Sequence, residues 1–249
     1  MTGSPRTRSI RHLPSVDSTN ERALAWAADG APDGSVIAAD EQTAGRGRRG
    51  RRWHSPEGGL YLSYIVRPID TLPRPSLLTL AAGVAAARAI LQVTGLRVRL
   101  KWPNDLLMPA EPLKVAGILA EGSSVGSQVE FVVIGIGINV SLASVPPELR
   151  AIASSLELEL GRAVDRRALQ DALVAALDEA VARLRRGDHD AMLREWLALA
   201  PDARGARISW RTHDEDRGGV TAGVDDEGAL LVQTGDGLQR LVAGEVVWT

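Results

Sequence analysis

The segment Gly45 to Trp53 places five arginines and three glycines within nine residues. Arginines at this density repel one another and are costly to bury without partners, so an anion would hold the segment in one shape. Each guanidinium offers a planar fork of donors that suits phosphate or carboxylate, and glycine lets a ligand approach the main chain closely. This segment, the arginine loop, predicts closure over a phosphate. The alternative is a solvated basic run that binds nucleic acid or binds nothing.

A second polar group follows at Lys101-Trp102-Pro103-Asn104-Asp105. Proline biases the residue before it toward extended backbone, so a strand would stop here with a cation, an amide and a carboxylate at its edge. These polar side chains either bind a ligand or belong to an ordinary turn that ends the strand.

Lys114 opens a strand that is otherwise free of charge. A period of two puts the side chain of Lys114 on the same face as Ala116 and Ile118. Gly117 lies on the opposite face, where it admits close approach by another group. The lysine either meets an anion beside the arginine loop or reaches solvent along its aliphatic stem.

The run Gly135 to Asn139 predicts a strand with one face cleared of side chains. Alternation puts both glycines and Asn139 on one face and the isoleucines on the other. A flat ligand or another backbone would lie against the cleared face, and a tight crossing of sheets is the alternative. The run lacks a third glycine and does not open a helix, so it is not a dinucleotide-binding fingerprint.

Composition limits the class of protein. The 249 residues include 29 basic and 31 acidic side chains, a net charge of -2, so the chain has no general attraction for a polyanion. There is no cysteine, which excludes disulfides and thiolate chemistry and suits a reducing cytoplasm, and the four histidines lack metal-site spacing. No secretory signal is recognisable, and the longest charge-free apolar stretch, residues 75–87, is too short to span a bilayer. We therefore expect a cytoplasmic protein with no membrane or nucleic-acid partner.

Periodicity predicts helices and strands that fall into two domains, residues 1–203 and 204–249. A helix begins near Ser18, with Ser18 or Asp17 as N-cap and Glu21 completing a capping box. Further helices are expected over residues 75–93, 165–186 and 190–200, and strands over 35–39, 60–67, 97–101, 115–120 and within 128–140, with 97–101 and 115–120 as hairpin partners. After residue 203, short strands over 207–211, 219–224, 229–233, 239–242 and 245–248 predict a small antiparallel barrel.

Taken together, these residues resemble biotin protein ligase. The resemblance rests on Ser18-Thr19-Asn20, Gln42, the arginine loop, the block Lys101 to Asp105, Lys114 with Gly117 and the strand Gly135 to Asn139, in this order, and it covers residues 15–248. It implies an α+β fold with a mixed sheet flanked by helices, as in class II synthetases, followed by an SH3-like barrel. With only 17 residues before Ser18, a helix-turn-helix domain does not fit, so we expect the short form without repressor function.

The resemblance also implies a reaction in two steps. Biotin and ATP give biotinyl-5′-AMP and pyrophosphate, and a lysine of a biotin carboxyl carrier domain of an acyl-CoA carboxylase then attacks the mixed anhydride. Catalytic roles fall on Lys114, Arg48 and Asp105. Biotin contacts fall on Ser18, Thr19, Asn20, Gln42, Gly45, Arg46, Gly47, Arg48, Lys114 and Gly117. ATP contacts fall on Arg48, Arg51, Trp53, Lys101, Asn104, Asp105, Lys114 and Asn139.

Some of these roles stay open in the sequence. Asp105 and Asn104 are the candidates for holding Mg²⁺, which prefers oxygen ligands, and Asp105 could instead accept a proton or orient the acceptor amine. Trp53 is either a lid over the adenylate or a core anchor. Two other functions compete with this interpretation: a lipoate-protein ligase with a similar core, and a nucleic-acid-binding module that uses the arginine loop and the barrel.

Overall fold

The computed structural model describes residues 8–67, 72, 74–125, 128–211, 215–242 and 246–248. Seven strands form the larger sheet: β1 (Ile10–Val16), β2 (Val36–Gln42), β3 (Leu60–Val66), β4 (Arg99–Lys101), β5 (Asp105–Leu107), β6 (Lys114–Val125) and β7 (Gln128–Ile138). Their order is β1-β2-β3-β7-β6-β5-β4, with β1 parallel to β2 and the other neighbours antiparallel. The prediction of a mixed sheet is confirmed.

Helices cover both faces of this sheet. They are α1 (Thr19–Ala28), α2 (Leu78–Thr94), α3 (Leu156–Leu160), α4 (Arg166–Arg185) and α5 (His189–Leu199). Tyr64 and Ile134 belong to the main core, together with residues of α2 and α4. Their sequence neighbours Ile65 and Val133 belong to a smaller apolar cluster with α1. Because neighbouring strand residues point to opposite faces, α1 lies on the face opposite α2 and α4.

The apolar helix α2 is the centre of the main core. A short 3₁₀ turn, Pro75–Leu77, leads into it, and Gly95, with a φ of 78°, ends it in the left-handed conformation. The turn and the helix together, Pro75–Thr94, are long and apolar enough to cross a bilayer by length and composition. The charge-free stretch 75–87, which the sequence singled out, is only part of this segment. In the fold, 72% of the most apolar part of this segment is buried, as in the core helix of a globular protein.

A second sheet follows the helices. It consists of β8 (Arg204–Arg211), β9 (Asp216–Val224), β10 (Leu230–Thr234), β11 (Gly237–Leu241) and β12 (Val246–Trp248), all antiparallel, in the order β11-β10-β9-β8-β12. This is the small SH3-like barrel expected from the sequence. Since β8 begins at Arg204, we propose that the domain boundary lies there.

The barrel packs against the larger sheet and α2 through the turn between β9 and β10. The indole Nε1 of Trp102 donates a hydrogen bond to the carbonyl oxygen of Gly228 over 3.0 Å. The Ser76 hydroxyl, before α2, donates to Glu227 over 2.7 Å. Apolar side chains of the barrel, including Ile208 and Leu230, belong to the same core cluster as α2. The two domains therefore share one continuous apolar core.

The predicted hairpin between residues 97–101 and 115–120 is wrong. The short strand β5 lies between them, so that Lys101 pairs with Asp105 and Asp105 pairs with Gly117. A strand of three residues is too short to give a periodic signal in the sequence. Its insertion brings the polar block ending at Asp105 directly beside the strand that begins at Lys114.

The predicted capping box at the start of α1 is also wrong. Ser18 is the N-cap residue, but its side chain makes no capping hydrogen bond. The carboxylate of Glu21 lies instead 2.9 Å from a guanidinium nitrogen of Arg46 in the arginine loop. An ion pair with a distant residue has replaced the local cap.

Strand β1 and helix α3 were not predicted from the sequence. Strand β1 lies at the edge of the sheet and most of its residues are exposed, which weakens the alternation of apolar and polar residues.

We expect Gly228→Ala to destabilise the protein more than an alanine substitution at a glycine that has a positive φ but no close neighbours. Gly228 has a φ of 80°, and an added Cβ would lie 2.9 Å from Leu80 and 3.0 Å from Leu77. The left-handed backbone and the overpacking together predict a loss of about 2–4 kcal/mol in the free energy of unfolding. Gly161, with a φ of 66° and open space around its Cβ position, is the matched control, for which about 1–2 kcal/mol is expected. Equal losses in urea denaturation of the two alanine variants would contradict the packing argument.

Candidate functional site

A cavity of about 890 Å³ lies on the α1 face of the large sheet. The side chain of Ser63 and the cleared face of β7 point to this side, because their neighbours Tyr64, Ile134 and Ile136 join the core on the other. The amino end of α1 borders the cavity at Ser18, and the arginine loop crosses it. The alternation of β3 and β7 therefore separates a packed face from a face that can receive a ligand.

The cavity gathers nearly all the residues singled out in the sequence. Its lining includes Ser18, Thr19, Asn20, Gln42, Arg46, Gly47, Arg48, Arg51, Trp53, Lys101, Asn104, Asp105, Lys114, Gly117 and Asn139. Gly45 does not line it; a Cβ there would press on the carbonyl of Trp53 and the hydroxyl of Ser55, so Gly45 serves the close packing of the loop. Residues separated by more than 100 positions in the chain thus surround one space.

Small polar groups at one end of the cavity form a connected network. The backbone N–H and the hydroxyl of Thr19 donate to Oε1 of Gln42, over 2.8 and 3.0 Å. The amide of Gln42 donates in turn to the Ser55 hydroxyl over 2.8 Å. The Asn20 amide donates to a carboxylate oxygen of Glu121 over 2.7 Å. Such an array of donors and acceptors suits a neutral polar ring.

Ser63 supports this network from beneath and was missed in the sequence. Its hydroxyl is fully buried, donates to Oδ1 of Asn20 over 2.6 Å and lies 2.8 Å from the hydroxyl of Thr19. The signal was available, because Ser63 is the only serine in the otherwise apolar strand Leu60–Val66, and a buried hydroxyl needs a partner.

Carboxylates hold the first part of the arginine loop. The guanidinium of Arg46 lies 2.9 Å from Glu21 and 2.6 Å from Glu121. Backbone hydrogen bonds from Gly47 to Arg51 and from Trp53 to Gly45, of 2.7 and 2.9 Å, close the loop on itself. Glu21 and Glu121 were also missed as site residues, since their pairing with Arg46 depends on contacts across 25 and 75 positions.

Lys114 faces the cavity because of a β-bulge. The register between β5 and β6 shifts so that Leu106 pairs with Ala116 but Leu107 pairs with Lys114. One extra residue reverses the alternation, so Lys114 lies on the face of Gly117, not on the face of Ala116 and Ile118 as predicted. Its ammonium would be 3.2 Å from a Cβ at Gly117. It forms an ion pair of 2.5 Å with Asp105.

The indole of Trp53 lies on the floor of the cavity. A Cβ added at Gly117 would be 3.0 Å from the ring, and one at Gly137 would collide with it. The sequence predicted a flat ligand or another backbone against the cleared face of β7, but the side chain of Trp53 lies there, with Asn20 filling the space beside Gly135. Within the described part of the chain, the buried Nε1 of Trp53 has no hydrogen-bond partner. Lys114 lies above the ring, 5.1 Å from its centroid.

Positive side chains concentrate at the opposite end. Arg48 lies 3.4 Å from Oδ1 of Asn104, and Lys101 and Lys114 are the only two lysines in the whole sequence. Burial lowers the pKa of Lys101; Asp105 opposes this effect and the charge of Lys114 adds to it. The amide of Asn139 donates to the carbonyls of Ser154 and Lys114, over 3.1 and 3.4 Å, so it also braces the start of β6.

The donor set for a metal ion is small. Across the described ranges, no three or more histidine, cysteine, aspartate or glutamate side chains are grouped to hold a metal ion. Asp105 and Asn104 offer neighbouring oxygens at the cavity. This pair suits Mg²⁺ that keeps most of its ligands from water and phosphate, and it does not suit a metal enclosed by protein side chains.

We expect Ser63→Ala to lower the free energy of unfolding by about 1–3 kcal/mol, because the acceptor of Asn20 and the hydroxyl of Thr19 lose a buried partner. Ser35→Ala is the matched control. Ser35 is equally buried, but its hydroxyl has no partner in the part of the chain that the structure describes, so its removal should be nearly neutral. Chemical denaturation compares the two variants, and an equal effect would show that the Ser63 network adds no stability.

Comparison with known proteins agrees with this geometry. The sequence profile of the biotin/lipoate A/B protein ligase family matches residues 12–139, and that of the biotin protein ligase C terminal domain matches residues 207–248. The biotin--[acetyl-CoA-carboxylase] ligase of Paracoccus denitrificans is 36% identical over 242 residues, covering 94% of this chain and 98% of that protein. The bifunctional ligase/repressor BirA of Bacillus subtilis is 35% identical over 234 residues, covering 93% of this chain and 71% of that protein.

A solved structure shows the same similarity in three dimensions. The biotin protein ligase from Aquifex aeolicus in complex with biotin and ATP superposes with a TM-score of 0.84 at 28% identity, covering 98% of this chain and 99% of that one. Both domain profiles, the full-length relatives and the cavity lined by the matching residues lead to one conclusion: the chain belongs to the biotin/lipoate A/B protein ligase family, with the domain composition of a biotin protein ligase.

Proposed function

We propose that the chain joins biotin to ATP, forming biotinyl-5′-AMP and pyrophosphate, and then transfers the biotinyl group to a lysine of a biotin carboxyl carrier protein. The observation that carries this proposal is the cavity itself, in which Arg48, Lys101 and Lys114 surround one end and the network of Thr19 and Gln42 the other. The relatives named as biotin ligases, which match over nearly their whole length, support biotin over lipoate as the substrate.

The first step needs positive charge where two anions meet. The carboxylate of biotin must approach the α-phosphate of ATP, and their repulsion is strong in a space from which water is excluded. We assign the neutralising role to Lys114, which the bulge in β6 turns toward the cavity. Its charge is offset by Asp105 at 2.5 Å, and the substrates would compete for the same ammonium.

We assign biotin to one end of the cavity and ATP to the other. Hydroxyl and amide groups of Ser18, Thr19 and Gln42, with the main chain of the arginine loop, would hold the ureido ring of biotin. A further set would surround ATP: Arg48, Arg51, Trp53, Lys101, Asn104, Asp105 and Asn139. Asp105 and Asn104 would hold Mg²⁺ together with the phosphates, where the ion supplies further charge neutralisation.

The arginine loop would protect the intermediate. An acyl-adenylate hydrolyses in water, so a segment that orders over it retains it until the acceptor arrives. The loop is anchored by Arg46, but the backbone of Arg49, with a φ of 56°, shows that its tip accepts a left-handed turn. In the second step Asp105, once separated from Lys114, would orient the acceptor amine or receive its proton. We place the reaction in the cytoplasm, where carboxylases and ATP meet.

A single assay tests the function. The protein is incubated with ATP, Mg²⁺ and a carrier domain, together with biotin, lipoate or neither, and pyrophosphate release and label transfer are measured. Both signals should depend on biotin. Dependence on lipoate would establish the related activity instead, and tight, salt-sensitive binding of nucleic acid without either signal would favour the nucleic-acid-binding function.

Lys114→Ala is expected to reduce biotin-dependent pyrophosphate release by about 100-fold or more, because one preorganised charge at the reacting centre is lost. The matched control is Arg167→Ala, which also removes an ion pair, with Asp171, but on the exposed surface of α4. That variant should retain normal rates. Thermal unfolding of both variants checks that the fold persists, and a Lys114→Ala enzyme with near-normal release would refute the assigned role.

The pH dependence should report the buried ammonium of Lys101. Because burial lowers the pKa of Lys101, its charge is lost as pH rises, at a lower pH than for an exposed lysine. In the pH profile of kcat/KM for ATP, the fall at alkaline pH should therefore be centred below the ordinary pKa of lysine. In Lys101→Arg the group stays charged, so this fall should move to higher pH, whatever the absolute rate. An unchanged position of the fall would show that another group controls it.

A further inference from the structure

Lys101 and Trp102 are held from two directions by the C-terminal barrel. The indole of Trp102 donates to the carbonyl of Gly228, between β9 and β10, over 3.0 Å. The ammonium of Lys101 lies over the indole of Trp248, 5.7 Å from the ring centroid. Since Lys101 lines the cavity, the last strand of the barrel reaches a residue of the candidate ATP end.

The ammonium of Lys101 needs such support. It is partly removed from water, and Lys114, with the same charge, lines the same cavity. Asp105 and Asp202 offset the charge from other directions. The face of an indole attracts a cation without forming a fixed ion pair, so it stabilises the ammonium while leaving its hydrogens available for an anion.

Trp248 is placed by the sheet and by packing. Strand β12 pairs with β8, with Trp248 opposite Ile208 and Val246 opposite Trp210. The ring packs against the main core cluster. Its Nε1 is buried, and no hydrogen-bond partner for it occurs among the described residues, so no hydrogen bond from this nitrogen determines where the ring lies. The ring is thus available as a surface for the ammonium.

We propose that Trp248 is a positioning residue that holds the ammonium of Lys101 toward the phosphates of ATP, so that the barrel completes the nucleotide end of the cavity. This inference rests on the proposed function for the identity of the nucleotide, and on the geometry alone for the contact between the ring and the ammonium. It assigns the C-terminal strand a specific part in binding ATP and none in binding biotin.

The contact itself is measured without any enzymatic assay. Because the chain has only two lysines, reductive ¹³C-methylation labels just these ε-amines and the α-amine, and Lys101→Arg identifies the signal of Lys101. The ring current of Trp248 should shift the Lys101 signal, and Trp248→Leu should remove that shift while leaving the Lys114 signal in place. Trp53→Leu is the matched control, since Trp53 lies 5.1 Å from Lys114 and should move only the other signal.

The consequence for ATP is measured on the unmethylated enzyme by titration with ATP and by steady-state kinetics. Trp248→Leu should raise the Kd and KM for ATP by about 3- to 10-fold, the size expected when a partly desolvated cation loses an aromatic face. The KM for biotin should not change. Trp248→Phe, which keeps an aromatic face, should restore most of the affinity. Trp210→Leu controls for loss of barrel stability, because Trp210 is a buried barrel tryptophan and no lysine lies over its ring among the described residues.

Each outcome decides the proposal. It is overturned if the Lys101 signal does not respond to Trp248→Leu, if phenylalanine restores nothing, or if Trp210→Leu weakens ATP binding to the same degree. An enzyme that binds ATP but releases no pyrophosphate with biotin would refute the proposed function, while the comparison of ATP affinities would still test Trp248. Failure of the wild-type protein to bind ATP would refute both.

Discussion

Repulsion among cations that line one cavity is the constraint on which this structure depends. Arg46, Arg48, Lys101 and Lys114 all border the same space, and without compensation their charges would force it open. Each has a local compensation in the protein alone. Glu121 neutralises Arg46, Asp105 neutralises Lys114, Asn104 accepts from Arg48 and Trp248 lies under Lys101. A bound anion would therefore exchange partners with these groups instead of collecting scattered charges.

The sheet makes this concentration of charge compatible with a stable core. Isoleucines of β7 and alternate residues of β3, such as Leu62 and Tyr64, join the core with α2 and α4. Glycines of β7 and Ser63 of β3 face the cavity on the other side. Each of these strands therefore stabilises the core with one face and leaves room for a ligand on the other, because successive side chains alternate between the faces. The cleared face is not empty, because Trp53 and Asn20 lie against it. Strand interiors with glycine are weak by themselves, and here the helices on the other face compensate.

The two domains act as one unit at the site. The barrel shares the main core with α2, receives a hydrogen bond from Trp102 and places an aromatic ring under Lys101. These contacts adjoin the block Lys101 to Asp105, in which every side chain except that of Pro103 makes a described contact. A substitution in the barrel can therefore alter the end of the cavity that we propose binds ATP, without touching ATP.

The sequence by itself determined the chemistry. Arginines spaced by glycines, the block Lys101 to Asp105, and the paired glycines of β7 indicated an anionic ligand and a family, since side-chain type and local spacing are sufficient for both. The long helices and the strands other than β1 and β5 followed from hydrophobic periodicity, which the core of the mixed sheet requires.

Only the tertiary structure decided which groups meet. The bulge that turns Lys114 into the cavity contradicts simple alternation, and the insertion of β5 changed the partner of β4. Ser63, Glu121 and Trp248 entered the site through contacts with residues distant in the chain. Periodicity describes one segment at a time, whereas register shifts and ion pairs between segments depend on how the segments pack together, and no local pattern in the chain encodes that.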